Sequence, residues 1–378
     1  MSLSIKVGLS ISLTGVYSVQ GRESFDGICL WVSDVNKDGG IYVRDLGKKL
    51  PVRLVYMDDG SSVDKCGANT EELITDRKVD ILLGPYSSSL ALASAKAAEA
   101  AGVTLWNHGG STDEMEGRGF TCLVNAITPA GRYADGIIKL IRSRDPGARR
   151  IASFSALDSG FSRNVARGAA VSAKLHGFEL REFQFPSGSG EFSGLLDEAL
   201  GFEPDLILGV GRMHDDIALA RHIIERKVRV NAAAFIAASV RLFYDTFGRS
   251  AEGFTSSSQW EEGIALEPDV GPSPMEFSER FRTAYGRRPD YTAAQGYNIG
   301  LIVRKCIEDT GTLDDEALRE NARLQDLTTF YGRFGTDGNG FQTAHEMVVV
   351  QWRGDRKVIV SPERYSESDF IYPMQPAY

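Results

Sequence analysis

The chain has 378 residues, more than one hydrophobic core usually organises, so two domains are the starting expectation. Hydrophobic residues make up 42% and charged residues 25%, which excludes a largely disordered chain. A formal net charge of -9 lacks the basic footprint that wholesale nucleic-acid binding requires, and no apolar run is long enough for a membrane-spanning helix.

Residues 5–13 form a β-type run that breaks at Thr14-Gly15, after which Phe25, Ile28, Val32 and Val35 recur at helical spacing until Gly39-Gly40. A strand at 52–57, a helix through 71–74, a strand at 81–83, an alanine-rich helix at 90–101 and a strand at 103–106 follow. This alternation predicts a parallel, doubly wound sheet. The pattern then restarts with strands at 151–155, 180–185, 206–208 and 234–236, separated by helices at 164–175, 192–200 and 215–224. Beyond Gly253, a loop with Pro268, Pro272 and Pro274 leads into helices at 277–285 and 291–307. The turn-rich Gly335-Thr336-Asp337-Gly338-Asn339-Gly340 then precedes strands at 347–352 and 358–360. These late segments are too short for a third domain. They are expected to complete two similar α/β lobes, 1–126 with 258–332 and 127–257 with 333–378, the chain crossing between lobes three times.

Cys29, Cys66, Cys122 and Cys306 lie far apart with no C-x-x-C spacing, which argues against a zinc ribbon or a thioredoxin-type motif. Buried free thiols and one disulfide both remain open. Met1-Ser2-Leu3-Ser4 leads directly into the first strand without a basic segment and an apolar stretch, so a cytoplasmic protein and the mature form of an exported one both fit. Catalytic constellations are lacking: there is no G-x-S-x-G, H-E-x-x-H or phosphate-binding loop, and Gly209-Val210-Gly211 lacks a third glycine, having His214 in its place. Asp58 and Asp59 alternate faces on a strand, and His214 and His222 stand two helical turns apart. The expectation is a non-enzyme without cofactor or metal.

The opening Ile5-Lys6-Val7-Gly8, then Leu13-Thr14-Gly15, Gly21, Val35-Asn36-Lys37-Asp38-Gly39-Gly40-Ile41, Val55-Tyr56-Met57-Asp58-Asp59 and Gly84-Pro85-Tyr86-Ser87-Ser88-Ser89 together resemble the leucine/isoleucine/valine-binding protein family of type I periplasmic binding proteins. The resemblance covers nearly the whole chain and implies two Rossmann-like lobes joined by three hinge strands. It further implies a carboxylate-bearing solute, an ABC permease as partner, a periplasmic location and a monomer. The hinges are expected near 126–128, 253–257 and 332–340.

Site residues follow by position in the family motifs. Ser88 resembles the serine that binds the ligand carboxylate, with Tyr86 and Ser87 beside it at a helix start, where free N–H groups and a partial positive charge favour anions. Capping of that helix by one of the serines is the competing role. In Trp106-Asn107-His108-Gly109-Gly110-Ser111-Thr112, Gly109, Gly110 and Ser111 resemble contacts to the same carboxylate, whereas His108 replaces the family's usual proline and either lines the pocket or caps the turn. Phe161, in place of a common tyrosine, and Arg212, after Gly209-Val210-Gly211, stand on second-lobe turns. Tyr17, Gln20 and Tyr291 match positions that line or cover the pocket in relatives. The family's carboxylate for a ligand ammonium is missing from Ala237-Ala238-Ser239-Val240-Arg241, which favours an acid without an ammonium group unless a shifted residue such as Asp215 takes its place. A ligand-reporting sensor of the same fold is the alternative to a transport protein.

Overall fold

The structure is a computed structural model that describes residues 3–375; Met1 and Ser2 of the N-terminal motif and residues 376–378 lie outside the described residues. The chain divides into two compact units, Met1–Thr128 with Ala265–Glu346 and Pro129–Ile264 with Met347–Tyr378. It therefore passes between them three times, after Thr128, Ile264 and Glu346.

These crossings shift the expected boundaries at 258 and 333. Residues 333–346 stay with the first unit because Gly332–Gly335 pairs antiparallel with Asp326–Thr329, the Asn125 N–H donates to Gly340 O (2.8 Å), and His345 Nδ1 lies 2.6 Å from Thr128 Oγ1. Residues 258–264 stay with the second, where Lys357 Nζ meets Glu261 Oε1 at 2.6 Å and Gly263 packs on Glu367.

In the first unit, five strands lie parallel in the spatial order Val52–Asp58, Ile5–Ile11, Ile81–Leu83, Leu105–Asn107, Leu123–Asn125. Buried on both faces, strands of this kind read as short, nearly continuous apolar runs, as Ile81-Leu82-Leu83 does. Leu82, Leu105 and Leu123 join Leu73, Ala91, Ala95, Ala98 and Met115 in the core beneath helices Val63–Thr75 and Ser88–Ala101. On the other face, helices Ser18–Lys37 and Tyr291–Thr310 cross at very short range. A Cβ on Gly27 would sit 2.0 Å from Ala293 O, one on Gly296 would sit 2.2 Å from Ser24 O, and one on Gly300 would sit 2.1 Å from the Trp31 ring.

The second unit repeats the plan. Its parallel strands run Glu179–Phe185, Arg150–Ala156, Leu206–Val210, Ala232–Phe235, Thr255–Ser258, and Val348–Arg353 and Arg356–Ser361 extend the sheet antiparallel. One apolar core fills each face, around Ile137, Ile141, Val165 and Ala169 on one side and Phe192, Leu196, Leu219 and Phe243 on the other.

The fourth strand of the first unit begins at Leu105, two residues later than its pattern suggested, and the Ile41–Val43 and Lys48–Leu50 hairpin was not foreseen. The strand at 234–236 lies at Ala232–Phe235, with Ile236 opening a 3₁₀ turn. All four cysteines are free, Cys66 and Cys306 buried, which settles the disulfide question in favour of thiols.

Gly27→Ala forces a methyl group into the backbone of the facing helix and is expected to lower unfolding free energy by about 1–3 kcal/mol in urea denaturation. An unchanged midpoint would mean that the two helices are not pressed together there.

Candidate functional site

Both sheets share the strand order 2-1-3-4-5, which reverses direction between the first and third strands. In an open parallel sheet, the crevice beyond the carboxyl ends of those two strands is where ligands sit. In the first unit the turns at that point are 12–17, after Ile5–Ile11, and 84–87, after Ile81–Leu83.

The 12–17 turn is pinned by the end of the neighbouring strand. Asp58 accepts from the Leu13 N–H (3.0 Å), the Thr14 N–H (3.3 Å) and the Thr14 hydroxyl (2.7 Å), while fully buried Asp59 accepts from the Ser10 and Ser12 hydroxyls at 3.1 and 2.6 Å. Ser61 Oγ receives the Tyr17 N–H at 3.0 Å and donates to Thr14 O at 2.8 Å. The two adjacent carboxylates thus pin the same turn through different groups, Asp58 at Leu13 and Thr14 and Asp59 at Ser12, and both act as scaffolding beside Tyr17 at the start of its helix.

The 84–87 turn is zipped to the next turn along the sheet. The Gly84 N–H donates to Trp106 O (2.8 Å), Tyr86 bridges to Gly109, and the Ser87 N–H donates to Gly109 O (3.2 Å). Ser87 caps helix Ser88–Ala101, its Oγ receiving the Leu90 N–H at 3.4 Å, with φ at 91° and ψ at 147°. A side chain rarely adopts that conformation, which costs of order 1–3 kcal/mol and marks a position held by its surroundings. Capping falls on Ser87, and the half-buried Ser88 hydroxyl has no hydrogen-bond partner among the described residues.

The 107–111 turn is organised from within. Asn107 Nδ2 donates to Gly110 O (2.6 Å) and Asn125 Oδ1 (2.5 Å), and its Oδ1 accepts the Gly110 N–H (3.0 Å). Gly109 and Gly110 are glycines because a Cβ would strike Pro85 O at 2.6 Å and the Ala91 methyl at 2.1 Å. The Gly110 N–H is thus already engaged, which corrects its reading as a contact, whereas the buried Ser111 hydroxyl has no partner among the described residues. His108 is also corrected: its ring is 0% exposed, Nε2 lies 2.7 Å from Ser24 Oγ, and Nδ1 has no partner among the described residues. It braces the turn against the Ser18–Lys37 helix instead of lining a surface.

Three tyrosines gather around these turns. The Tyr17 and Tyr86 rings meet edge-on at 6.4 Å, and Tyr86 Oη lies 3.3 Å from Tyr291 Oη at the start of its helix. Gln20 is half-buried one turn into the first helix. Aromatic walls beside unengaged hydroxyls and a helix N-terminus can hold a small acid with an apolar body.

In the second unit, the equivalent turns carry Phe161 and Arg212. Phe161 packs edge-on against Tyr133, with centroids 5.3 Å apart at 85°. Arg212 is not a free cation: it approaches Asp158 through the backbone oxygen (3.3 Å) and the carboxylate (3.6 Å). Asp215 cannot stand in for the missing acid, because it accepts from the Ser187 hydroxyl (2.6 Å), the Gly188 N–H (2.7 Å) and the Arg212 N–H (3.0 Å) and is nearly buried. Ser239 turns its hydroxyl onto Ile236 O (2.8 Å), and Lys357 Nζ donates to its carbonyl. Sequence reasoning passed over Ser24, Asn107 and Asp216. Asp216 is fully buried; burial pushes its carboxyl up to about 7 even though it accepts the Gly211 and Ala237 N–H groups at 2.8 and 3.0 Å. Only its place in the first turn of helix Met213–Glu225 hinted at this.

A sequence profile described as periplasmic binding protein matches residues 4–357. Among curated relatives, Leu/Ile/Val-binding protein homolog 7 of Brucella abortus (strain 2308) is 22% identical over 393 residues, covering 98% of this chain and 95% of that one. A branched-chain amino acid transporter substrate binding protein from Streptococcus pneumoniae, solved with isoleucine, superposes with a TM-score of 0.79 at 18% identity, over 98% of this chain and 100% of the other. A solute binding protein from R. palustris in complex with benzoate gives 0.76 at 16% identity, over 99% and 98%.

Burial holds the His108 imidazole down to about 3, whereas the unfolded side chain takes up a proton near 6.5. Unfolding therefore binds a proton between these values, and stability is lost as pH falls through that window, by up to about 1.4 kcal/mol per pH unit. Urea unfolding between pH 7 and 5 is expected to steepen this loss in the wild type relative to His108→Asn; equal slopes would show that the ring is open to protons.

Proposed function

We propose, for a chain that belongs to the periplasmic binding protein family, that its first unit captures a small solute by its carboxylate and that the protein is the extracytoplasmic solute-binding component of an ABC importer. The observation that carries this reading is the Ser87-Ser88 turn: a strained cap at the switch point leaves the next hydroxyl and the first N–H groups of a 14-residue helix at the crevice. Ser88 donates to the carboxylate, Ser111 provides the second hydroxyl, and Tyr17, Tyr86 and Tyr291 enclose the apolar part, with Gln20 at the edge. Phe161 and Arg212 mark the equivalent turns of the second unit's own sheet. The permease partner, the periplasmic location and the monomeric state rest on family membership.

For the solute itself, we favour an organic acid, aromatic ones included, over an amino acid. The 237–241 turn carries no carboxylate, and Asp215 is committed to its own loop, so a buried ammonium would have no counter-charge there. The benzoate complex of the R. palustris relative supports an acid of this kind within the fold.

A thermal-shift screen of amino acids, aromatic acids and aliphatic acids tests this. A solute present at about 1,000 times its Kd stabilises by roughly 4 kcal/mol, worth several degrees in Tm. Benzoate-like acids are expected to exceed leucine, and Ser88→Ala is expected to weaken the responding acid by roughly 10- to 100-fold, the worth of a hydrogen bond to a charged group. A response confined to leucine, or one indifferent to Ser88→Ala, overturns the assignment.

A further inference from the structure

The loop Gly286-Arg287-Arg288-Pro289-Asp290 joins helix Pro274–Tyr285 to the helix that begins at Tyr291. Arg287 turns back from it onto the first helix, placing Nη1 2.6 Å from Glu23 Oε2 and Nη2 2.5 Å from Asp26 Oδ2. Those two carboxylates are three residues apart and so share a helix face. The guanidinium also lies over the Phe281 and Tyr285 rings, 5.0 and 5.8 Å from their centroids, and the Tyr285 hydroxyl donates to Asp26 O at 2.9 Å.

At the far end of the loop, Asp290 caps the Tyr291 helix by accepting the Thr292 and Ala293 N–H groups at 2.8 and 3.1 Å, and Pro289 restricts the backbone between. A cavity of about 600 Å³ opens beside this staple, lined by apolar Leu13, Val19 and Phe25 and by the charged groups of the staple itself with Arg22. The helix that carries Glu23 and Asp26 follows directly on Tyr17 and includes Gln20.

We infer that the Glu23–Arg287–Asp26 staple is a positioning element for Tyr291, and that the protonation state of Glu23 sets, through it, the affinity of the first unit for a carboxylate solute. The second half of this inference rests on the reading of the first unit as the solute site.

The charge balance supplies the switch. Two carboxylates of the first helix, Glu23 and Asp26, hold one guanidinium, the charge of Asp290 from the loop bears on Glu23, and Arg22 is a further cation near Asp26 with the Tyr285 phenol beside it. Burial and the Asp290 charge push Glu23 up to about 7, against the pull of Arg287. Ionised Glu23 grips one guanidinium nitrogen while Asp26 grips the other. Once protonated, it is a weak acceptor, Arg287 is held from one side only, and the loop that sets Tyr291 against Tyr86 is released. Acidification through neutrality thus loosens the aromatic wall.

The test uses the full chain with ring-¹³C tyrosine, observed by NMR without ligand from pH 6 to 8, with resonances assigned by Tyr291→Phe and Tyr86→Phe. Both signals are expected to titrate near pH 7 in the wild type and to stay at their acid positions in Glu23→Gln. Benzoate, as the probe carboxylate, is expected to lose roughly two- to fivefold in affinity from pH 8 to 6, the range a partly exposed ion pair commands, and Glu23→Gln to remove that dependence. Tyrosine signals that ignore pH, or that titrate equally in Glu23→Gln, overturn the staple. Titrating tyrosines with no carboxylate binding at any pH would leave the positioning standing and sink the solute reading instead. Should Glu23→Gln fail to fold, Arg287→Gln removes the same grip from the other side and must give the same flat response.

Discussion

The first unit depends on one close approach, the crossing of helices Ser18–Lys37 and Tyr291–Thr310. Gly27, Gly296 and Gly300 let two backbones come where any side chain would collide, and dispersion over that contact rewards the approach. Tyr17 stands at the start of one helix and Tyr291 begins the other. His108, hydrogen-bonded to Ser24 in the crossing, ties the 107–111 turn to the same pair. The crossing thus brings the two tyrosine-bearing helix starts and the 107–111 turn together.

The same logic explains how polar groups are spent. Asp58, Asp59 and Asn107 satisfy loop N–H groups and hydroxyls, so the backbone around the crevice is preorganised and only a few groups are left over. Ser88 and Ser111 are such groups. Under the proposed reading, a solute arriving at such preorganised backbone costs little ordering entropy. In the second unit, Asp215 and Asp216 are consumed in equivalent scaffolding, and this is why neither supplies a free charge.

Much of this was legible in the sequence. Short apolar strands alternating with helices gave the doubly wound class, and family-like turns pointed to Tyr17, Ser88 and Tyr291. What stayed hidden has physical reasons. Thr255-Ser256-Ser257-Ser258 forms a buried central strand from four hydroxyl residues, which no hydrophobic pattern signals, because those hydroxyls are absorbed by backbone oxygens such as Tyr133 O and Trp260 O. Pocket lining and turn capping both stayed open for His108 because a histidine after a strand looks the same in sequence whether its ring faces solvent or a helix. The boundary at 333 moved because a local hairpin with 326–329 and the long-range His345–Thr128 contact decide which unit owns that stretch.

The three crossings carry a consequence for how the chain is made. Each unit is assembled from separated stretches, and the second sheet closes only when 348–361 is added at its edge. The first unit likewise waits for the helix at Tyr291–Thr310 before its glycines find their partner. Neither unit is complete before its returning stretch has been made, Ala265–Glu346 for the first and the segment from Met347 onward for the second, and every contiguous stretch that holds one unit whole also carries a segment of the other.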